Sequence, residues 1–452
     1  MKKIAALLLA LIMCVMPFAV NADGEALPLS HEWAEVSMGE THAAAIQPVG
    51  LGYAWGYNYN GAIGNGVTSS TNTTVPYNFA ENLRAVTVNR KTTLSIDNND
   101  VLRICGEIWF GSGGETGMPI PYVYSTPIEF AQDVRHAAMG YNHIIYVKND
   151  GTVWVYGEND YGQLGDGTNN NSYTPKQVTS LSNVVYVAAG NNLSAAVKSD
   201  GTLWMWGLNT YGQVGNNSTT DRKTPVQVLT NVFSVSVMGD HVLALKNDGS
   251  VWAWGRNDYG QLGKGSTSVQ RTPVQVMTGA AQVSAGYYHS AVLKTDGTLW
   301  FAGRSYRGCF GNGTPGSYSA ANSTFTQTAG SYAAVKCGLD ATIAVAATGQ
   351  LYTAGYNGYG QLGTGSTAQS VPAFTPIDVW VFGGEDPQEP LIGDVDVNGK
   401  VEFADVSLYA SYLLNLVTLT EQGLINADAN QDGTLNSLDT AAIYRIALSN
   451  VK

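Results

Sequence analysis

Apolar and polar positions along this chain alternate in short runs that glycine interrupts. In Val251-Trp252-Ala253-Trp254 the small residues fall on one side and the two tryptophans on the other. That period of two predicts a β-strand. The runs belong to a longer phrase: an apolar run, Asp-Gly, a Trp-rich run, Gly-x-Asn, then Tyr-Gly-Gln-Leu-Gly. It is fullest from Asp150 to Gly165, returns at 200–215 and 248–263, and is looser at 296–311 and 348–363. Degenerate copies surround Trp55 and precede Gly106. The glycine closing each run falls at 56, 106, 157, 207, 255, 303 and 355, in steps of 48 to 52 residues. Seven copies are present.

Asp-Gly between two apolar runs predicts a two-residue hairpin turn of type I′. A period of about 50 residues holds four short strands with their turns, the size of one propeller blade. A blade cannot bury both of its faces alone, but arranged radially each covers the next. The predicted fold class is mainly β, a seven-bladed β-propeller over residues 33–382. At these residues the phrase resembles the repeat of the regulator of chromosome condensation family, and this resemblance implies the same seven-bladed ring. Blades two and six depart from it: Glu107-Ile108-Trp109-Phe110-Gly111 and Tyr306-Arg307-Gly308-Cys309-Phe310-Gly311 replace the regular elements. The namesake's nucleotide exchange and chromatin docking are not carried over to an acidic, exported chain.

Composition narrows the partners. Among 452 residues only 13% are charged, about half the usual ~25%. The formal charge is −12, and no basic patch is dense enough to follow a nucleic-acid backbone. Lys2 and Lys3, the apolar run Ile4 to Val20, and Val20-Asn21-Ala22 together read as a signal peptide over residues 1–22. The 17-residue apolar run is short of the roughly 20 a membrane span needs. Loss of the two lysines takes the charge to −14 and leaves Cys105, Cys309 and Cys337. Three thiols cannot all pair within one chain.

His42, His143, His241 and His289 each follow a repeat glycine closely. Equivalents in separate blades lie too far apart to share a metal, so they read as structural. The recurrent tryptophans (154, 204, 206, 252, 254 and 300) read as core. Asp160 and Asp258 read as loop caps. Repetition explains all of these, so functional candidates are sought where blades depart from it. Glu107 to Ser125 carries Trp109, Phe110, Tyr122 and Tyr124; Tyr306 to Phe325 carries Tyr306, Arg307, Phe310, Tyr318 and Phe325. Aromatic residues and arginine in irregular loops suit a binding surface.

Beyond residue 382 the composition turns to Gly, Pro and acid, a linker over 383–390. Two loops follow, 34 residues apart. Asp394, Asp396, Asn398 and Asp405 in the first, and Asp428, Asn430, Asp432 and Asp439 in the second, occupy positions 1, 3, 5 and 12. Glycine stands at position 6 of each. Lys400 and Thr434 offer backbone carbonyls at position 7, and Glu402 and Asn436 complete the sets. Hard oxygen donors in this order are calcium ligands, one ion per loop. Each loop precedes an apolar-periodic run that predicts a helix.

This tandem loop-helix pair, residues 391–452, resembles a type I dockerin, a small all-α module. The resemblance implies a cohesin partner on a scaffold protein of the cellulosome, an extracellular complex that degrades polysaccharides. It places partner contacts at Phe403 and Ala404, at Ser437 and Leu438, and at Tyr444 and Arg445. The two halves differ, Phe-Ala against Ser-Leu. The expected protein is therefore a secreted, non-catalytic propeller, most plainly a protein-interaction module, held to a scaffold by its dockerin. A carbohydrate-binding propeller and a glycoside-acting enzyme are the alternatives, and the latter would need two carboxylates about 5–10 Å apart in a cleft.

Each loop crowds at least three carboxylates, which repel without a cation, so calcium binding should supply most of the folding energy of a 62-residue module. Excess chelator is expected to unfold residues 391–452 and spare the ring. Circular dichroism of the full chain should lose its helical component and keep its sheet component; an unchanged spectrum refutes this.

Overall fold

The computed structural model describes residues 35–377 except 49, 70 and 113–118, with backbone alone at 109–112 and 119–121. The leader 1–22, the linker 383–390, the calcium loops from Asp394 to Asp439 and the contact residues Phe403, Ala404, Ser437, Leu438, Tyr444 and Arg445 lie outside the described residues. So do the side chains of Trp109 and Phe110.

Consecutive strands form seven four-stranded antiparallel sheets, each an unbroken meander. The blades occupy residues 35–80, 83–131, 134–177, 184–229, 232–277, 280–328 and 332–376. The first strand of each blade lines a central channel and the fourth lies outermost. Because no blade borrows a strand from another, side chains must close the ring. Trp55 in blade 1 donates its indole N–H to the Gln361 carbonyl of blade 7 at 2.9 Å. Val36, Met38 and Trp55 share one core cluster with Ile343, Leu351 and Leu362.

The Asp-Gly turns differ from the expected type. Lys148 N–H donates to the Thr152 carbonyl and Gly151 N–H to the Lys148 carbonyl, both at 2.9 Å, which encloses three loop residues. Gly151 has φ of +80°, whereas Asp150 is not among the residues with positive φ. This is a three-residue loop with glycine at the left-handed position. The aspartate serves another purpose: Asp150 Oδ1 accepts from Thr152 N–H at 2.9 Å and from its hydroxyl at 2.7 Å. In blade 2 Asp100 takes the glycine's place, with φ of +63°.

The tryptophans divide into two groups. Trp55, Trp206 and Trp254 are fully buried between blades. Trp154, Trp204, Trp252 and Trp300 are half-buried three positions before the closing glycine, each under a lysine ammonium 4.4–5.7 Å from the ring centroid. Blades 6 and 7 carry Ala302 and Ala354 where the inner tryptophan would stand. There Phe325 and Phe374, from the outer strands, fill the space against Gly263 and Gly311 of the preceding blades. Phe310 is 3% exposed in the same region. Phe310 and Phe325 are thus core replacements, and their expected place on a binding surface is corrected.

The seams between blades explain the histidines. His143 Nε2 lies 2.9 Å from Ser194 Oγ of blade 4. That hydroxyl gives its single hydrogen to the Gln163 carbonyl of blade 3 at 2.8 Å, so the imidazole must be the donor at Nε2. Trp206 Nε1 donates to the same carbonyl at 2.9 Å. Equivalent relays join His42 to Thr93, His241 to Ser290 and His289 to Thr342. In the seams that lack a histidine the hydroxyl is missing too: Leu193 faces the position of Val242, and Ala341 that of Ala43. The inner strands are stitched by a second set of bonds, in which Ser37, Ser236 and Ser284 each accept a backbone N–H from the next blade. Cys105, Cys309 and Cys337 are free and buried, and burial pushes the thiols of Cys105 and Cys337 up to about 12.

Two outcomes follow from this packing. Gly255 has φ of +99°, and a Cβ there would lie 2.5 Å from the Asp240 carbonyl oxygen. Gly255→Ala should cost ~3 kcal/mol or more in urea unfolding. Burial lowers His42, His136, His143, His241 and His289 from 6.5 to about 3. The unfolded chain then binds more protons than the ring between those values, so stability is full above about pH 6.5 and falls as pH drops toward 3. Glu35, which burial raises to about 7, acts in the opposite direction but is a single group. Urea midpoints measured across that range should fall, and His143→Gln should remove about one proton from the slope.

Candidate functional site

Each regular blade joins its third and fourth strands by a loop built around one buried asparagine. Asn159 Oδ1 accepts from Leu164 N–H at 2.9 Å, and its Nδ2 donates to the carbonyls of Thr168 and Asn170, both at 3.1 Å. Gln163 Oε1 accepts from Tyr161 N–H at 3.0 Å. Asn209, Asn257 and Asn357 repeat the arrangement. These amides cap the loops, correcting the expectation for Asp160 and Asp258: Asp258 instead pairs with Arg256 at 2.7 Å. Because the amides hold the loop from inside, the tyrosine at its tip is free to face outward.

On this face the loop residues of five blades join into one chain of tyrosine and arginine. The Arg256 guanidinium lies 5.1 Å from the Tyr211 ring and 5.8 Å from that of Tyr288. Arg304 follows, 3.7 Å from Tyr288 and 5.5 Å from Tyr306. Arg307 sits between Tyr306 at 5.1 Å and Tyr356 at 4.2 Å. Ring contacts then run from Tyr356 to Tyr359, from Tyr359 to Tyr57, and from Tyr57 to Tyr59, with centroids 5.4–6.2 Å apart. The belt spans blades 4 to 7 and blade 1.

Arg304 anchors it. Its side chain is 2% exposed and bonds Asp340 of the next blade at 2.8 Å. Nε and Nη1 have no hydrogen-bond partner among the described residues, and rings of Tyr259, Tyr288, Tyr306 and Tyr318 surround the guanidinium within 5.5 Å. Asp240 and Asp258 hold Arg256 in the same manner, at 3.5 and 2.7 Å. Asp240, Asp258 and Asp340 are therefore committed to arginines. Tyr59 and Tyr318 are each 60% exposed, and Tyr141 and Tyr161 are also exposed.

Of the sequence candidates, Tyr306, Arg307 and Tyr318 lie in this belt. Tyr122 is exposed on a long hairpin, β7 (Leu102–Ser112) with β8 (Pro119–Ala131), that replaces the loop of blade 2. Tyr124 packs against the core. Sequence reasoning missed Tyr57, Tyr211, Tyr288, Tyr356, Tyr359, Arg256 and Arg304. The available signal was position: these residues follow the strand-ending glycine or sit in a turn, where repetition does not imply burial.

Removing the anchor and removing a tip should differ sharply. Arg304→Ala leaves Asp340 without its cation and is expected to destabilise the ring by roughly 3–5 kcal/mol. Tyr59→Ala should change stability by no more than about 0.5 kcal/mol. Urea denaturation of both variants checks the contrast.

With this geometry in place, comparison with known proteins is informative. Residues 18–315 match the RCC1-like domain family, and residues 332–361 and 348–387 match regulator of chromosome condensation (RCC1) repeats. Residues 392–446 match the dockerin type I domain. The chain is 28% identical over 155 residues to the ultraviolet-B receptor UVR8 of Arabidopsis thaliana, covering 33% of this chain and 34% of that protein. It is 28% identical over 151 residues to human RCC1 domain-containing protein 1, covering 32% and 36%. Those alignments thus span about a third of either relative. Human WBSCR16 shares the fold with a TM-score of 0.63 at 22% identity, over 72% of this chain and 94% of that one. Prp20p of Saccharomyces cerevisiae does so with a TM-score of 0.60 at 19% identity, over 72% and 87%.

Proposed function

Because the chain belongs to the RCC1-like domain family and carries a type I dockerin match, we propose that it is an exported, non-catalytic binding propeller tethered to a scaffold. The dockerin docks on a cohesin of an extracellular complex that degrades polysaccharides. Two calcium ions order it, one per loop, on the oxygen donors from Asp394 to Asp405 and from Asp428 to Asp439. The propeller presents its tyrosine–arginine face to a protein target.

The observation that carries the choice of protein over glycan is where the guanidinium groups lie. A sugar stacks on an open aromatic face. Here Tyr211, Tyr259, Tyr288, Tyr306, Tyr318 and Tyr356 each have an arginine over the ring. Tyrosine and arginine held rigidly together, with polar tips outward, match the composition of protein interface centres. The carboxylates beside these arginines, Asp240, Asp258 and Asp340, are all paired, which favours binding over catalysis.

Two experiments test the two halves of this proposal. For the dockerin, a hydrophobic contact at Phe403 and a mixed contact at Ser437, Leu438 and Arg445 cannot present the same surface after a half-turn. Calcium-saturated titration against one cohesin should therefore show Phe403→Ala and Leu438→Ala differing at least about tenfold in affinity, about 1.4 kcal/mol. Equal small losses, with a large loss only in the double variant, would instead mean two interchangeable modes. For the propeller, the full chain should capture a defined secreted protein, and Tyr59→Ala with Arg307→Ala should abolish capture without altering retention on insoluble polysaccharide. Loss of polysaccharide retention instead would overturn the protein-binding assignment.

A further inference from the structure

The three arginines of the belt are not equally neutralised. Arg256 has two carboxylates, Asp240 at 3.5 Å and Asp258 at 2.7 Å. Arg304 has one, Asp340 at 2.8 Å. Arg307 pairs with none among the described residues. Its Nη1 donates instead to the Gln369 carbonyl at 2.9 Å and to Gln369 Oε1 at 2.8 Å. The Asp340 carboxylate also feels Arg307, but Arg304 already holds it. Two guanidinium groups thus face one acid where blades 6 and 7 meet, and one positive charge is left over. The chain as a whole carries −12, so this local excess runs against its overall charge.

Arg307 also occupies an unusual backbone position. It stands where regular blades carry the tip tyrosines Tyr161, Tyr211, Tyr259 and Tyr359. Its φ is +59°, and the other six described non-glycine residues with positive φ are all asparagine or aspartate. Those two types tolerate the left-handed region, whereas a long side chain is rarely placed there. The guanidinium it presents is held on several sides. The rings of Tyr306 and Tyr356 lie 5.1 and 4.2 Å from it. Gln369 fixes Nη1, and the Arg307 carbonyl accepts the Ser370 hydroxyl at 2.8 Å. Nε and Nη2, the second edge of the fork, make no hydrogen bond among the described residues, on a side chain that is only half-buried. Two parallel N–H groups along one planar edge match a carboxylate, and holding them in advance lowers the ordering cost of binding.

We infer that this edge takes a carboxylate from the protein target: an aspartate or glutamate side chain that pairs with Arg307 beside Tyr306 and Tyr356. Arg304 acts as a positioning residue, since its buried guanidinium lies 5.5 Å from the same Tyr306 ring. A uronic-acid sugar carries the same anionic group. It fits less well, because Tyr306 already has a guanidinium from each arginine against its ring and offers no open face to a pyranose. The inference rests on the protein-binding assignment above and adds the chemistry of the contact.

The probe is the dipeptide acetyl-Glu-Glu-amide, titrated into the full calcium-loaded chain with isotope-labelled arginine and tyrosine. The Arg307 side-chain N–H signal, assigned by its loss in Arg307→Lys, should shift and saturate at millimolar peptide. Acetyl-Gln-Gln-amide should bind at least about tenfold more weakly. Both titrations use the unaltered protein, so no variant has to fold for them. Arg307→Gln, read at the ring signals of Tyr306 and Tyr356, should weaken the acidic peptide by a similar factor. No shift, equal affinity for the two peptides, acidic-peptide binding that survives Arg307→Gln, or tighter binding of digalacturonate than of the peptide would each overturn the inference. If target capture still depends on Tyr59 and Arg307 while both peptides bind alike, this inference alone is removed. Loss of polysaccharide retention in that pair of variants would remove the assignment on which it rests.

Discussion

The propeller depends on one buried loop carbonyl at each of six seams among the described residues. A loop from one blade turns its backbone oxygen into the next, where an unpaired carbonyl would carry a desolvation cost of ~1–3 kcal/mol. Between blades 3 and 4 the oxygen of Gln163 is met by Trp206 and Ser194, and His143 completes the chain. Each polar atom in the relay has a defined direction, which puts a hydrogen on Nε2 of the histidine, and burial keeps the ring neutral. Trp55 performs the same task across the closing seam. With no shared strand between blades, these bonds and the apolar clusters around them are what hold the ring shut.

The relay also explains which substitutions the repeat tolerates. Histidine and hydroxyl are present together, or replaced together by Leu193 with Val242 and Ala341 with Ala43, while Thr92, at the histidine position of blade 2, turns its hydroxyl to the Glu107 carbonyl. A histidine or hydroxyl alone would leave a buried polar atom without a partner. The inner tryptophan is replaced by alanine in blades 6 and 7 only where a phenylalanine from the outer strand takes up its volume. Packing thus follows the volume of the seam, and the residue filling it can come from a different strand.

Fixing the loops from within leaves their tips available. The amides of Asn159 and its equivalents satisfy the loop backbone, so tyrosines at the tips have no structural duty there. Arg256, Arg304 and Arg307 then bind the tips of neighbouring blades into one surface. A surface assembled by cation–π contacts and buried ion pairs is rigid, and rigidity lowers the ordering cost of binding.

The sequence alone determined the repeat number, the strand pattern and the order of blades, because glycine spacing and period-two alternation are local signals. It also made the type I dockerin legible, since the residue spacing that marks that module is itself local. It could not separate the tryptophans of the seams from those half-buried under lysines, nor place Phe310 and Phe325 in the core. Those assignments depend on which blade lies beside which residue, about 50 positions away. The turn type escaped for a related reason: Asp-Gly fits two hairpin geometries, and the strand register selects between them. The tyrosine–arginine belt was legible only at Tyr306, Arg307 and Tyr318. Its remaining members look like ordinary repeat residues until the ring brings five blades' loops to one face, and only tertiary structure makes neighbours of Tyr57 and Tyr359.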